Sequence, residues 1–338
     1  MIIKPILTLL ALTELLRGHA TAEEASNTAR TWDNNPKGVQ VFILAGQSNM
    51  VGHGKADDGH DNVKGAIGSL RYQVEHDPNN YGHLVNADGS WKTRDDVKVW
   101  WRDSDINAPR AVIKGNLKIG YAQSRNPGWF GPEYGFGWTV ADYVKLPVLI
   151  IKAAWGGKSL NVDFRPPSAA AARGGVGGPY YTGMITNVHD VLDHLDTEFP
   201  EWKGKGYRIA GFGWNQGYND RVEKVASANY EANLVDLIKD LRAEFGNAKL
   251  PVSITTTGQE PAPAPAPFSE VELAQLAVAN PAKYPAFKGN VKTTDTRPFW
   301  RVAAVSPSGM GYHWNHNAES HYLNGKAMGE KMVEMLAP

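Results

Sequence analysis

A serine directly after an apolar run is the first residue whose position could support chemistry. The run at 39–45 reads VQVFILA, and Gly46-Gln47-Ser48-Asn49-Met50 follows it. At a tight strand-to-helix turn, the Ser48 hydroxyl is exposed and its N–H is free, which suits nucleophilic attack and oxyanion stabilisation. Serine is equally a favoured N-cap residue, and the G-x-S-x-G elbow pattern is not met. The turn alone leaves both interpretations of Ser48 open.

Side-chain amides and a glycine pair follow two further apolar runs. Gln216 and Asn219 come just after the run that ends at Gly213. Amides pointed at a developing oxyanion are what acyl transfer needs, but an Asx-type turn explains the same residues. Gly156 and Gly157 follow another run, and their backbone N–H groups can face a ligand there. The spacing of a phosphate-binding loop is absent at this point.

Histidines are concentrated near the C-terminus, in the stretch GYHWNHNAE at 311–319. A histidine in a loop near the carboxyl edge of a sheet can act as general base for Ser48, so His313 and His316 are both candidates. If the loop is extended, only one of them can face the serine, because three residues span up to about 10 Å. The H-x-x-H spacing lacks the glutamate of a zincin helix, so we expect no metal here.

These groups need strands that end at one edge of a sheet. Apolar runs alternate with helical patterns; the runs lie at 39–45, 147–154, 207–213 and 250–257, and the helical patterns at 135–144, 181–195, 228–245, 270–279 and 318–336. This alternation predicts an α/β fold, with a parallel sheet flanked by helices on both faces and the active site at the carboxyl ends of the strands. Segments 55–125 and 163–180 interrupt it, and we expect loop insertions there that form the substrate groove.

Composition and the first residues limit the partners and the compartment. The 35 Lys and Arg residues balance 35 Asp and Glu residues, so nothing indicates binding to nucleic acid or to a membrane surface. Residues 1–22 have the pattern of a signal peptide and 23–37 form a polar leader, which predicts a secreted or periplasmic protein that leaves the membrane after cleavage. We expect a single domain over 38–338. The absence of cysteine excludes thiol catalysis and thiolate metal sites.

Taken together, the sequence segments described above resemble those of the SGNH hydrolases. The nearest group is the sialate O-acetylesterase-like one, which includes carbohydrate esterase family 6 and its acetylxylan esterases. Residues 46–50 stand as that group's G-Q-S-N-M. Residues 214–220 fit its W-x-Q-G-x-[NS]-D except that Tyr218 replaces the usual glutamate, and 130–137 (FGPEYGFG) resembles its F-G-P-E-x-G-F-G. The resemblance covers about 38–336.

The resemblance implies a flavodoxin-like three-layer SGNH fold and a serine esterase that removes O-acetyl groups from a carbohydrate, with no cofactor. Ser48 is then the nucleophile. Its N–H, together with Gly156 or Gly157 and the amide of Gln216 or Asn219, would form the oxyanion hole. Substrate contacts are expected from residues in or beside these blocks: Gln47, Trp155 and Trp214.

The last block departs from the family pattern. Many SGNH enzymes carry D-x-x-H, whereas Met310 stands three residues before His313. The group's H-[WFY]-x-x-N-A-E form favours His313 as the base over His316. Asp295 and Glu319 are the candidate acids, unless a Ser–His dyad acts alone. Two rivals stay open: an inactive or weak carbohydrate-binding protein of the same fold, and a short-chain lipase or thioesterase, against which the polar insertion argues.

Overall fold

The computed structural model describes residues 31–103, 106, 112–258 and 268–337 of the chain. The signal peptide predicted at 1–22 and the first part of the leader lie outside these residues. Residues 32–338 make up one compact unit. Among the helices of the described part, none is long and apolar enough to cross a membrane.

The strands of the described part fall into two sheets. They are β1 (Val39–Gly46), β2 (Gly54–Lys55), β3 (Arg94–Arg102), β4 (Val112–Leu117), β5 (Trp129–Phe130), β6 (Val148–Ala154), β7 (Tyr207–Asn215), β8 (Val252–Thr255) and β9 (Val291–Thr294). The main sheet has the order β4-β3-β6-β1-β7-β8-β9, and β2 pairs with β5. All neighbours in the main sheet are parallel except β3 and β4.

Five of these strands form the order that the predicted fold requires. Taken in chain order, β6-β1-β7-β8-β9 is 2-1-3-4-5, which is the flavodoxin-like arrangement, so the predicted fold class is confirmed. Strands β3 and β4 arise from the segment at 55–125 and extend the sheet beyond β6. That insertion therefore adds sheet as well as loops. The strand order reverses direction between β1 and β7, and ligands bind at such a point.

Helices cover both faces of the sheet. They are α1 (Ser48–Val51), α2 (Leu70–His76), α3 (Pro78–Tyr81), α4 (Pro132–Val144), α5 (Pro167–Arg173), α6 (Pro179–Asp193), α7 (Leu195–Glu198), α8 (Tyr218–Arg221), α9 (Lys224–Glu244), α10 (Glu270–Val278) and α11 (Ala318–Leu336). Alternate side chains of β1 enter opposite cores, as a pleated strand requires. Val41 and Ile43 pack in the core that α6, α9 and α10 complete. Phe42 and Leu44 pack in the core that α4 and α11 complete.

Candidate active site

Ser48 is the first residue of α1 and stands directly after β1. Gln47 occupies the N-cap position and its side chain makes no capping hydrogen bond, so capping does not explain Ser48. Gly46 permits the turn because a Cβ there would lie 2.0 Å from the carbonyl oxygen of Asn215 on β7. The serine therefore emerges where the end of β1 packs closely against β7, at the point where the strand order reverses.

The Gln47 side chain ties the serine turn to the loop after β7. Its Oε1 accepts from the backbone N–H of Gly217 at 3.2 Å and of Asn219 at 3.3 Å. Its Nε2 donates to Asn219 Oδ1 at 3.0 Å, while Asn219 Nδ2 donates to the carbonyl of Gly157 at 2.8 Å. The amide of Asn219 is thus held in one orientation. Gln47 also lines the cavity described below, where a substrate contact was predicted for it.

A buried carboxylate joins the loops that follow β6 and β7. Asp220 Oδ2 accepts from Leu160 N–H at 2.8 Å and from Gln216 Nε2 at 2.6 Å, and its Oδ1 accepts from Asn161 N–H at 2.8 Å. Burial raises the pKa of Asp220, and these hydrogen bonds oppose the shift. Gln216 is almost fully buried and also donates to Lys158 O at 3.0 Å. Of the two predicted amide donors, Asn219 lines the cavity, whereas Gln216 holds the loops together.

The glycine pair after β6 forms an open part of the wall. Gly156 and Gly157 both line the cavity, and a Cβ at either position would meet nothing within 4 Å. Gly157 has a φ of +69°, a left-handed conformation that glycine adopts without steric cost. Backbone groups of this loop are therefore accessible to a ligand in the cavity.

The segment from His313 to His316 forms a left-handed turn. The φ angles of its four residues are 52°, 53°, 52° and 61°, a conformation that costs roughly 1–2 kcal/mol for each non-glycine residue. Asn315 holds the turn, because its Oδ1 accepts from Gly311 N–H at 2.9 Å and its Nδ2 donates to Arg301 O at 3.1 Å. The segment is wound rather than extended, so the premise that only one histidine can face the site does not hold.

A third histidine, His53, joins the two predicted ones. Its ring stacks on His313 with centroids 3.8 Å apart and planes 9° apart, and its centroid lies 5.5 Å from that of His316. Burial, reinforced by His316, lowers the pKa of His313 to about 4, and burial, reinforced by Lys55, lowers that of His316 to about 4. Burial also lowers the pKa of His53 strongly, with His313 adding to the effect. All three rings are neutral near pH 7, and a neutral imidazole can accept a proton.

Ser48 and His313 line one cavity of about 450 Å³. The rest of its lining comes from the segments after β1, β6 and β7, from the segment between β4 and β5, and from the residue before the histidine turn: Gln47, His53, Gln123, Gly156, Gly157, Tyr218, Asn219 and Tyr312. A second cavity of about 330 Å³ shares Gln123 and Gly156 with the first and includes Trp155. The two cavities are therefore adjacent, and a serine and a neutral imidazole line the first of them.

Three of the predicted site residues lie elsewhere. Trp214 is fully buried and its Nε1 donates to Tyr230 Oη at 3.1 Å, so it packs in the core and its ring is not available to a substrate. The carboxylate of Asp295 pairs with Arg297 at 2.7 Å, and that of Glu319 with Arg301 at 2.7 Å. Neither candidate acid is part of the cavity lining.

A fully buried ion pair joins three segments that lie beside the site. Lys152 Nζ on β6 donates to Glu133 Oε2 at 2.7 Å, to Val51 O at 2.8 Å and to Tyr121 O at 2.6 Å. Burial raises the pKa of Glu133 and lowers that of Lys152, and the attraction between the two opposes both shifts. The lysine thereby links the last residue of α1 to the segment that leads to Gln123 and to the first turn of α4.

Replacing this lysine should destabilise the protein strongly. Lys152→Met leaves the Glu133 carboxylate buried without its partner, so we expect the free energy of unfolding to fall by about 3–5 kcal/mol in urea denaturation. The exposed Lys326→Met, which breaks only the surface pair with Glu330, should cost less than about 1 kcal/mol. Adding Glu133→Gln to Lys152→Met should recover part of the loss. Equal losses in the two single variants would contradict this account.

Sequence reasoning gave no role to His53 or Lys152. His53 stands five residues after Ser48, but its contact with His313 depends on how distant loops meet. Lys152 carried a readable signal, because a lysine inside the apolar run PVLIIKAA must find a partner when the strand is buried. Glu133 was within a recognised block, and the ion pair supplies the physical reason for a glutamate there.

The sequence matches one protein family, and the fold is similar to that of solved structures. The profile of the family SASA, described as "Carbohydrate esterase, sialic acid-specific acetylesterase", matches residues 38–297. No protein with a curated description matches the sequence significantly. A structure of a protein from Arabidopsis thaliana is similar at a TM-score of 0.51 and 17% identity, covering 87% of this chain and 97% of that one.

Two further solved structures share less of the geometry. A carbohydrate acetylesterase from Xanthomonas citri matches at a TM-score of 0.49 and 14% identity, covering 87% of this chain and 55% of that one. NanS matches at a TM-score of 0.43 and 13% identity, covering 78% of each chain. At these identities the likeness to the Arabidopsis protein concerns the fold, whereas the family match covers most of the chain.

Proposed function

We propose that this chain, which belongs to the SASA family of carbohydrate esterases, is a serine esterase that removes O-acetyl groups from a carbohydrate. The observation that carries the proposal is that Ser48 and His313 line one cavity where the strand order reverses. Asn219 and the pair Gly156 and Gly157 line the same cavity, which gives the serine neighbours that can donate hydrogen bonds.

The proposed reaction has two steps. His313 accepts the proton of the Ser48 hydroxyl while the oxygen attacks the acetyl carbonyl carbon, and the C–O bond to the sugar breaks as His313 returns the proton to the sugar oxygen. Water then attacks the acetyl-serine, giving its proton to His313. The acetyl–Ser48 bond breaks, the serine regains a proton and acetate leaves.

The negative oxygen that forms in each step needs donors in fixed positions. We assign this role to the N–H of Ser48, an N–H of the Gly156–Gly157 pair and the side-chain amide of Asn219. Gln47 fixes the orientation of that amide, and Asp220 fixes the two loops that carry these donors. Donors held in this way need no reorganisation when charge develops.

The lining of the second cavity suits a carbohydrate better than a long acyl chain. Its lining mixes the aromatic rings of Trp101 and Trp155 with the charged groups of Asp103 and Lys158. Trp101 and Trp155 are almost fully buried, so the charged groups of this lining, rather than stacking on the rings, would hold a hydroxyl-rich sugar through hydrogen bonds.

Acetate release from acetylated carbohydrates tests the proposal. Purified protein is incubated with acetylated xylan, acetylated pectin, an acetylated algal glycan and O-acetylated sialic acid, and free acetate is measured. Release from at least one of them, at a rate proportional to enzyme concentration, is expected. Binding without release, together with no turnover of a fluorogenic acetate ester, would favour a carbohydrate-binding protein of the same fold.

Short acyl groups should be strongly preferred. With 4-nitrophenyl esters we expect kcat/KM for acetate to exceed that for octanoate at least tenfold, because the cavity of about 450 Å³ is lined by polar, aromatic and glycine residues rather than by aliphatic side chains. The alcohol part is the same in both esters, so the comparison isolates the acyl group. Comparable kcat/KM values for the two esters would move the assignment to a lipase or thioesterase.

We also propose that the protein is exported. The support is the pattern of residues 1–22, with a basic start, an apolar stretch and the small residues Ala20 and Ala22 before Glu23. N-terminal sequencing of protein secreted by a bacterial host should give a chain that begins at Glu23. Retention of Met1 in an otherwise active cellular protein would contradict export.

A further inference from the structure

His53, His313 and His316 place three imidazoles around one point. One nitrogen of each ring can be chosen so that all three lie within 4.8 Å of one another. His313 and His316 are brought together by the left-handed turn, since a turn of about three residues puts positions i and i+3 on the same side. His53 approaches from the loop after α1.

His53 is the member whose environment points to a ligand. Its side chain is 6% exposed, and its Nε2 is buried and makes no hydrogen bond within the described part of the chain. Buried polar nitrogens are nearly always paired, so an unpaired one needs an explanation. A bound ion is one of the recognised explanations for such an atom.

The chemistry of the three ligands selects a class of ion. Neutral imidazole is a preferred ligand of Zn²⁺, Cu²⁺ and Ni²⁺, whereas Mg²⁺ and Ca²⁺ prefer oxygen ligands. No carboxylate belongs to this group of residues in the described part. Three protein nitrogens with a fourth position open is also a common arrangement for zinc.

The three histidine rings must move from their present positions before they can bind one ion together. With Zn–N bonds of about 2.0–2.1 Å, nitrogens in a tetrahedral site lie about 3.3 Å apart, so the separations of up to 4.8 Å must shorten. The rings of His53 and His313 are also nearly parallel at 3.8 Å, and the in-plane lone pairs of parallel rings do not converge. The ring of His316 is nearly parallel to both, at 9° to His53 and 14° to His313, so at least two of the three rings must turn when an ion enters.

We infer that His53, His313 and His316 form a binding site for one divalent transition-metal ion such as Zn²⁺. The inference that the ion also inhibits the enzyme rests on the proposed function. A nitrogen lone pair that binds metal is not available to take the proton of Ser48, so an ion on His313 blocks its use as a base. The sequence predicted no metal here because the H-x-x-H pair stands in a loop without the glutamate of a zincin helix, and it gave no role to His53.

Isothermal titration with Zn²⁺ on untagged protein tests the site independently of activity. We expect one ion per chain, at least tenfold weaker binding in His53→Asn and in His316→Asn, and wild-type binding in His76→Asn. His76 is a matched control because its ring also stacks on a neighbour, Tyr72, but is exposed. Co²⁺ should give the visible absorption of a four-coordinate complex, and Mg²⁺ should not compete.

Thermal unfolding of each variant without metal separates lost ligands from lost folding. No saturable Zn²⁺ binding, or equal affinity in wild type and in folded His53→Asn and His316→Asn, would overturn the metal site. Stoichiometric Zn²⁺ should lower turnover of an acetate ester at least tenfold, and a chelator should restore it. Metal binding in a protein that hydrolyses no acetate ester would refute the proposed function and leave the metal site standing. Binding without inhibition in an active esterase would refute only the inhibitory role.

Discussion

Ser48→Ala should lower kcat on an activated acetate ester by about four to six orders of magnitude while leaving the fold intact. The hydroxyl is the atom that forms the acetyl-enzyme in the proposed reaction, and Ser48 is the one serine or threonine in the described lining of the cavity. Ser48 is only partly buried at the first position of α1, and capping of that helix does not depend on its side chain. Removing one hydroxyl there should change stability little.

Two measurements separate lost chemistry from lost structure. Thermal unfolding of Ser48→Ala should match that of the wild type, and Ser90→Ala, which removes a hydroxyl from an exposed turn, should keep wild-type turnover. The wild type should also show a burst of product when deacylation is slower than acylation, and the variant should not. More than about a tenth of wild-type turnover in a folded Ser48→Ala protein would refute the serine as nucleophile.

The sequence predicted most of the sheet because buried parallel strands have a strong signature. The runs at 39–45, 147–154 and 207–213 became β1, β6 and β7, which carry the site. Strand β9 was missed because VKTT is short, and three of its four residues are only partly buried at the sheet edge. Within the predicted insertion only Val97 to Arg102 (VKVWWR) is strand-like in the sequence, since the first half of β3 is charged. Only its second half is mostly buried beside β6.

Residues of the site could be predicted from the sequence only where a short segment directly after a strand fixes their position. Each block that follows a strand reached the cavity, because parallel strands end at the same edge of the sheet. Trp214 was predicted to contact the substrate because the residues beside it in the sequence belong to the site. As part of β7 it points into a core, where Phe164 and Phe212 surround it. Which side a strand residue faces is decided by the register of the sheet, and that was not visible in the block.

The histidine turn could not be predicted for a different reason. Four consecutive left-handed residues without glycine violate local preference, so no propensity argument leads to them. They persist because tertiary contacts hold them. Trp314 is buried, and the two hydrogen bonds of Asn315 join the turn to Gly311 and Arg301. Strain of this kind is concentrated at functional sites, where the surrounding structure over-determines the backbone.

Substitution of His313 and of His316 should identify which of the two histidines acts as the base. His313 and Ser48 line the same cavity, whereas His316 is not part of its lining in the described structure. We therefore expect His313→Asn to lower kcat/KM on an acetate ester by at least about 10³-fold, because the serine loses the group that takes its proton. His316→Asn, measured in parallel with a chelator present, should keep more than about a tenth of wild-type kcat/KM.

The pair of variants is a strict test because the two positions share most of their environment. Both residues belong to the same turn, both have left-handed φ angles and both are half-buried, so damage to the turn would affect them alike. Unequal losses therefore report on chemistry, and equal unfolding temperatures of the two variants would establish that. A loss confined to His316→Asn would transfer the role of base to His316. Large activity in both variants would remove the histidine base from the mechanism.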